Sequence, residues 1–319
     1  MSTIYFLFQQ MLLFSIPLLI VALGGMFSER SGVVNIALEG IMVMGAFCSI
    51  FFINRMQDIM SGNLLLILAI LVAAASGLAF SLLHAYAAIN MRADQTISGT
   101  ALNMIAPAVA IYMARTLQEN GVQQINFTNT FRIREVPLLS RIPVLGDLLF
   151  KNTYITTYLG LIILAVAAFV LYKTRFGLRL RSCGEHPQAA DSVGINVYRI
   201  RYAGVMISGA LAGLGGLVFV VPTSTNFNAT VAGYGFLALA VLIFGQWKPL
   251  RILFAAFFFG LMKTIAASYS GLPLLKDLPI PSDIYKMIPY IATLIVLAFT
   301  SRKSQAPRAS GVPYDKGSR

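Results

Sequence analysis

A succession of long apolar segments is the feature that most constrains what this chain can fold into. A transmembrane helix needs about 20 mostly apolar residues, and eight segments come close to that length. A ninth segment, Gly233–Phe244, would cover about 18 Å as a helix, short of a hydrocarbon core about 30 Å thick, so we predict a broken or half-length helix there. The eight longer segments are Tyr5–Phe27, Val33–Ile53, Leu64–Ala87, Thr96–Ala114, Tyr154–Tyr172, Ala203–Val221, Leu250–Ala267 and Ile284–Thr300.

The balance of apolar and charged residues agrees with a bilayer as the solvent. Hydrophobic residues make up 57% of the chain and charged residues 11%, against about 25% charged in ordinary soluble domains. Because the apolar segments run from near the start to Thr300, no room is left for a separate ATPase, kinase or protease domain. We predict an all-α polytopic membrane protein with about nine transmembrane helices (between about eight and ten). Its transmembrane domain covers residues 1–301, and a basic cytoplasmic tail covers residues 302–319.

The net charge of +12 indicates membrane topology rather than a nucleic acid polymer as partner, because basic residues of membrane proteins collect in cytoplasmic loops. The loop over residues 173–202 carries a clear basic excess and is predicted to be cytoplasmic. The tail lies an even number of crossings later, on the same side, and the N-terminus then lies outside. The basic residues of the loop are Lys173, Arg175, Arg179, Arg181, Arg199 and Arg201.

The same loop contains the signals of a short, bounded helix. Pro187 suits a first helical position, Gln188 to Val193 can form about two turns, and Gly194 supplies a left-handed stop. Such a helix could present Ala189, Ala190 and Val193 to a groove in a cytoplasmic partner. The local chemistry alone favours an ordinary solvated loop, because a capped helix in a basic loop is common.

This loop and four further stretches resemble the membrane permease subunits of bacterial ABC importers in the branched-chain amino acid and ribose family. Within that family, Gly184-Glu-His-Pro-Gln-Ala-Ala190 and Gly194-Ile-Asn-Val197 look most like the shorter permease of the nucleoside and simple-sugar uptake branch. The resemblance runs from about residue 20 to about residue 300. The other stretches are Ser28 to Ala46, Arg92 to Asn103, Ser208 to Gly216 and Gly233 to Pro249.

The resemblance implies the ABC importer permease fold and a subunit of an ATP-driven importer in the bacterial cytoplasmic (inner) membrane, for nucleosides or alternatively for riboflavin or simple sugars such as ribose. It implies a second, longer permease, a cytoplasmic ABC ATPase and an external substrate-binding lipoprotein as partners, besides membrane lipid. The loop helix would be the coupling helix that meets the ATPase. The coupling residues carried over are Gly184, Glu185, His186, Pro187, Ala189, Ala190 and Gly194.

The chain itself is predicted not to be an enzyme. No Gly-x-x-x-x-Gly-Lys-Ser/Thr phosphate loop occurs in it, so the usual backbone cradle for ATP is missing. ATP and Mg²⁺ are expected in the ATPase subunit, with no cofactor and no catalytic residue in this chain. His84 is the one histidine within a predicted span, which gives metal binding no support.

Polar residues inside the predicted spans are the candidates for a translocation path. Glu39 is an intramembrane carboxylate, which is costly enough to indicate a substrate or gating role, or else pairing with an arginine or a helix N-terminus. Asn35 and Asn103 could bind a ribose or a base edge, or could join helices by hydrogen bonds. Around the short segment, irregular backbone at membrane depth points to a pathway wall. Its candidate is Gly233. Tyr234 and Phe236 could stack on a nucleoside base there, although aromatic residues near a membrane interface more often act as anchors.

Two other classes stay open at this point. A secondary transporter should show several titratable residues in its spans and often two inverted halves, whereas Glu39 is the clear carboxylate found here and no internal repeat is evident. A membrane scaffold without transport is the second alternative, and its deletion would leave uptake of every solute unchanged.

Overall fold

The computed structural model describes residues 2–118, 121–128, 131–136, 140, 146–269, 281–300 and 305–316, and the protein is mostly helical, at 75%. Four short strands, β1 to β4, form two antiparallel pairs, β1 with β4 and β2 with β3. The strands are β1 Ile125–Asn126, β2 Arg132–Glu135, β3 Lys151–Tyr154 and β4 Asn226–Phe227. The helices are α1 Ser2–Arg30, α2 Leu38–Met56, α3 Asn63–Ala85, α4 Gln95–Leu117, α5 Ile155–Lys173, α6 Arg175–Glu185, α7 Pro187–Ser192, α8 Val197–Thr223, α9 Tyr234–Phe244, α10 Pro249–Ser268 and α11 Ser282–Thr300.

Within the described residues, seven helices are long and apolar enough to cross a membrane, namely α1 to α5, α8 and α10. The predicted short helix is α9, an apolar helix of 11 residues. α11 covers the last predicted span but is not among the seven, so a total of about nine crossings stays a prediction.

The helix starts that differ most from the predicted spans are those of α2 and α8. The second span was predicted from Val33, but α2 begins at Leu38, because residues 33–37 form an irregular connection after α1. α8 begins at Val197 rather than at Ala203, because the Asn196 side chain accepts a hydrogen bond from the Arg199 backbone amide (3.0 Å) and caps the helix. Hydropathy alone cannot locate a polar capped turn of this kind.

Two central helices organise the packing. In the most apolar part of each helix, 83% of the residues of α1 and 72% of those of α8 are buried. The corresponding share is about a third for α3, α4, α5 and α10. α8 packs on α1, α2 and α3. The outer helices surround this pair and present their remaining apolar surface outward, where a bilayer can cover it.

Glycines let the central helices approach closely. A Cβ added at Gly213 would collide with the backbone of Ala73 and Gly77 in α3, and one added at Gly45 in α2 would collide with Gly213. Close approach of this kind strengthens van der Waals packing between helices in a bilayer, where the hydrophobic effect contributes little.

The last described segment, residues 305–316, folds back against the end of the molecule that carries α6 and α7. The Ala309 amide donates to the Gly184 carbonyl (2.8 Å), and the Gly311 amide donates to the Gly32 carbonyl (3.2 Å). The predicted tail begins at residue 302, and residues 301–304 and 317–319 lie outside the described residues. The described part of the tail is therefore packed structure, and we call residues 305–316 the C-terminal strap.

Candidate coupling and translocation site

The short helix α9 starts inside the molecule, after an irregular stretch that begins when α8 ends at Thr223. Ala232 and Gly233 both have positive φ values, +53° and +76°, so the chain turns sharply just before Tyr234. A helix that begins within the membrane leaves its first backbone amides without helical partners. Those amides must be satisfied by the protein, because lipid cannot do so.

Glu39 of α2 accepts hydrogen bonds from two of these amides. Its Oε1 accepts a hydrogen bond from the Gly233 amide (2.9 Å), and its Oε2 accepts one from the Gly235 amide (2.6 Å). A Cβ on Gly235 would collide with the Glu39 backbone, so only glycine lets α2 come this close. A carboxylate at a helix N-terminus is favoured by the helix dipole, and both oxygens of Glu39 are engaged by the protein itself.

The two predicted asparagines also bond to neighbouring protein groups. The Asn103 side chain accepts from the Gly40 amide (2.7 Å) and donates to the Ile36 carbonyl (2.9 Å). The Asn35 amide group donates to the Ser208 hydroxyl (2.9 Å) in α8. In this conformation both residues join the irregular segment after α1 to its neighbours.

His84 holds the same segment. One of its ring nitrogens lies 2.8 Å from the Val34 carbonyl oxygen and the other lies 3.0 Å from the Ser98 hydroxyl. Among the described residues, no group of three His, Cys, Asp or Glu side chains lies together as a metal site would require.

The aromatic candidates lie in different environments. Tyr234 is 2% exposed, and its ring centroid lies 4.1 Å from that of Phe219. Phe236, two residues on, is 50% exposed. The structure therefore brings Glu39, Gly233 and Tyr234 together at the start of α9, whereas Phe236 faces away from the protein interior and Asn35 and Asn103 serve the segment after α1.

Sequence reasoning missed the residues that hold the other end of α9. The Trp247 indole, just after α9, donates to Glu29 Oε2 (2.6 Å) at the end of α1, and the Arg30 guanidinium donates to the Trp247 carbonyl (3.1 Å). Arg30 also lies 3.7 Å from Glu185, at the end of α6. The signal was available, because Glu29 and Arg30 belong to the Ser28 to Ala46 stretch and Trp247 to the Gly233 to Pro249 stretch.

The predicted loop helix is α7, Pro187–Ser192, with Pro187 in its first turn. Gly194 follows with φ +84°, which is the left-handed stop expected from the sequence. Only part of the predicted docking surface is presented outward. Val193 is 76% exposed, and His186, Ala189 and Gly194 are also exposed.

The remaining coupling candidates support α7 from within. Gly184, Pro187 and Ala190 are buried, and Glu185 is half-buried. Ala190, predicted to be presented to a partner, instead packs with Cys183, Val197 and Tyr314 in a small apolar cluster. The sequence could not reveal this, because Tyr314 comes from the C-terminal strap.

The strap closes over this cluster. The Tyr314 ring meets the Tyr198 ring edge-on at 5.4 Å, and the buried Arg201 guanidinium lies 5.8 Å from the Tyr314 ring centroid and donates to the Val312 carbonyl (3.1 Å). Burial raises the pKa of the Cys183 thiol to about 11. Arg201, counted by sequence among the loop charges, is thus a buried anchor for the strap.

Lys263 in α10 is a further residue that sequence reasoning missed. Its ammonium nitrogen lies 5.3 Å from the Tyr234 ring centroid and 5.6 Å from that of Tyr290. An ionisable residue inside a span indicates function by default. The same rule that selected Glu39 would have selected Lys263 within the predicted span Leu250–Ala267.

Comparison with known proteins gives consistent matches along the chain. The family model described as the permease component of branched-chain amino acid transport systems matches residues 7–297. The nucleoside ABC transporter permease protein NupC of Lactococcus lactis subsp. cremoris is 45% identical over 316 residues, covering 99% of this chain and 98% of the relative.

Two further relatives align over most of their length. The guanosine ABC transporter permease protein NupQ of Bacillus subtilis is 46% identical, covering 97% of this chain and 96% of the relative. The putative glucose ABC transporter permease protein TsgC13 of Haloferax volcanii is 30% identical, covering 91% and 90% respectively. No solved structure matches the chain.

Proposed function

Because the chain belongs to the family of permease components of branched-chain amino acid transport systems, we propose that it is the membrane-spanning permease subunit of an ATP-driven nucleoside importer. The observation that carries the proposal is the identity of 45% and 46%, over nearly the whole chain, to two permeases named for nucleosides and for guanosine. The glucose permease is more distant, at 30%, which favours nucleosides over simple sugars; riboflavin is a further alternative to be assayed.

The chain is a multi-pass protein of the cytoplasmic membrane. We place the α6–α7 end in the cytoplasm, because twelve described basic residues lie in the segments at that end and five lie in the segments at the other end, as the positive-inside rule requires. The twelve are Arg30, Arg92, Lys173, Arg175, Arg179, Arg181, Arg199, Arg201, Lys248, Arg251, Arg308 and Lys316, and the five are Arg55, Arg115, Arg132, Arg134 and Lys151. With α9 as a half-length helix and α11 as the last crossing, the topology has about nine membrane-inserted helices. The strap lies in the cytoplasm.

The proposal requires partners that supply energy and substrate. ATP and Mg²⁺ would bind to a cytoplasmic ABC ATPase that contacts α7 at His186, Ala189 and Val193. A second, longer permease would complete the pathway, and an external lipoprotein would deliver the nucleoside. Support for these partners is the ABC transporter naming of the relatives together with the exposed apolar Val193 on a capped loop helix.

The contacts of α9 provide a route by which an ATPase movement could reach the pathway. α6 leads directly into α7, Glu185 at the end of α6 faces Arg30, and Arg30 bonds to the Trp247 carbonyl at the end of α9. The other end of α9 is fixed to α2 by Glu39. Movement of α7 would therefore change the position of α9 relative to α2, which we propose alternates access to the pathway.

Uptake by cells tests the proposal. A strain that lacks this chain should lose uptake of labelled guanosine and uridine, and the wild-type chain should restore it. Restored uptake should stop when ATP is depleted and should persist when the proton gradient is collapsed while ATP is maintained. Loss of riboflavin or glucose uptake with intact nucleoside uptake would contradict the substrate, and uptake that follows the proton gradient would indicate a secondary transporter.

A further inference from the structure

A cavity of about 460 Å³ lies between α1, α8, α9 and α10, next to the start of α9. Its volume falls within the range of small-molecule sites, about 300 to 1,000 Å³. Most of the wall is apolar, from residues such as Leu13, Phe14 and Phe219. The polar groups in the wall are few and come from Gln10, Thr223, Tyr234 and Lys263. A mostly apolar hollow with a few convergent polar groups is the usual form of a ligand site.

Lys263 is the charged group of this wall. A lysine near a helix end commonly extends toward the membrane surface, but helical side chains point back toward the helix N-terminus, which here is the cytoplasmic end of α10. The contacts agree, because the ammonium lies between the rings of Tyr234 and Tyr290. Lys263 is part of the cavity wall, and no ion pair of Lys263 is present among the described residues.

Tyr234 supplies the second polar group. Its side chain is 2% exposed, and within the described residues its buried hydroxyl has no hydrogen-bond partner. A buried hydroxyl without a partner is destabilising, and a hydrogen bond to a bound solute would remove that cost. The Thr223 hydroxyl donates to the Phe219 carbonyl and so keeps acceptor capacity toward the same space.

We propose that this cavity binds the transported nucleoside, and that Lys263 and Tyr234 recognise a carbonyl oxygen on its base. The inference rests on the proposed function and names the substrate class, nucleosides with oxo-bearing bases such as guanosine, inosine and uridine. An ammonium can only donate, so it pairs well with the O6 and N7 acceptors of guanine, whereas adenine presents an amino donor at the position of O6. Adenosine therefore gains less from Lys263.

The position in the fold supports this assignment. Tyr234 is the first residue of α9 and also lines the cavity. Glu39 accepts hydrogen bonds at the start of the same helix. A solute bound against Tyr234 would thus contact the helix that the coupling route moves. Binding of the solute in this cavity would therefore be linked directly to movement of α9.

The test compares initial uptake rates in the deletion strain carrying Lys263→Met, Tyr234→Phe or the control Tyr290→Phe. Tyr290→Phe makes the same chemical change on a ring that also contacts Lys263 but is not part of the cavity wall. We expect Lys263→Met and Tyr234→Phe to lower guanosine, inosine and uridine uptake about tenfold, as for loss of a hydrogen bond to a charged group. Adenosine uptake should fall by less than about twofold, and Lys263→Arg should retain part of the activity. Membrane amounts of each variant are measured by immunoblot.

Equal losses for adenosine and for the oxo-bearing nucleosides, at normal membrane amounts, would overturn base recognition by this cavity. Unchanged uptake of all nucleosides by Lys263→Met would do the same. Failure of the wild-type chain to restore any nucleoside uptake is a separate result that overturns the proposed function itself.

Discussion

At the scale of single residues, Glu39 shows how an expensive buried charge is accommodated. Its two carboxylate oxygens accept hydrogen bonds from two backbone amides at the irregular start of α9. A gating role and a structural role were both open from sequence. The hydrogen bonds show the structural role, because they fix one end of α9, and the gating role stays a prediction. A residue 194 positions away in the sequence could not be identified as its partner from sequence alone.

Substitution of Glu39 should separate capping from charge. Glu39→Ala leaves two buried amides unsatisfied, at about 1 to 3 kcal/mol each, so the detergent-solubilised transporter should lose several degrees in its unfolding midpoint, and uptake should fall strongly. Glu39→Gln keeps one acceptor oxygen and should lie between wild type and Glu39→Ala. Thermal unfolding followed by fluorescence-detected size exclusion measures this order, and equal midpoints for all three proteins would contradict the capping role.

At the scale of elements, α7 and the C-terminal strap pack together as one unit, whereas the sequence predicted a coupling loop and a separate basic tail. The loop helix with Pro187 first and Gly194 after it was predictable, because its start and stop signals are local. The burial of Ala190 was not, because it depends on Tyr314 folding back from the far end of the chain. The same long-range packing makes Arg201 a buried anchor instead of a loop charge.

Thiol labelling can test whether the strap covers α7 in the membrane. In a Cys48→Ser background, Cys183 is the only cysteine of the chain; it is 0% exposed, and its pKa is raised to about 11 by burial. It should therefore react slowly with a maleimide at pH 8, where the thiol is protonated, and faster only as the pH rises toward 11.

Tyr314→Ala should open the cluster and accelerate labelling of Cys183 at pH 8 about tenfold, because local opening exposes buried groups. Tyr290→Ala removes a ring at a distance from the strap and serves as the control. Membranes containing the complete transporter are labelled for increasing times and analysed by mass shift. Equal rates for wild type and Tyr314→Ala would contradict the strap.

At the scale of the whole molecule, hydropathy predicted the succession of helices, including the half-length α9, because about 20 apolar residues have few alternatives to a membrane helix. It could not predict which helices lie at the centre, since α1 and α10 differ little in composition but strongly in burial. Nor could it show that Tyr234, a candidate from the sequence, and Lys263 line one cavity, which assembles residues of four helices. The signal from Lys263 was local and could have been used.

ATP-driven nucleoside movement should be transmitted through α7. The variant Val193→Asp places a charge on the most exposed apolar residue beside α7, at 76% exposure. Ile59→Asp makes a matched change at an equally exposed residue, 77%, at the opposite end of the molecule. Both proteins should fold normally, since an exposed substitution rarely changes the free energy of unfolding by more than about 0.5 kcal/mol.

The decisive measurement is guanosine uptake by proteoliposomes that contain the complete transporter, with and without ATP. We expect wild type and Ile59→Asp to take up guanosine only when ATP is present, and Val193→Asp to lose most of this uptake together with retention of the ATPase during purification. Uptake that does not require ATP, or full uptake and ATPase retention by Val193→Asp, would contradict the account.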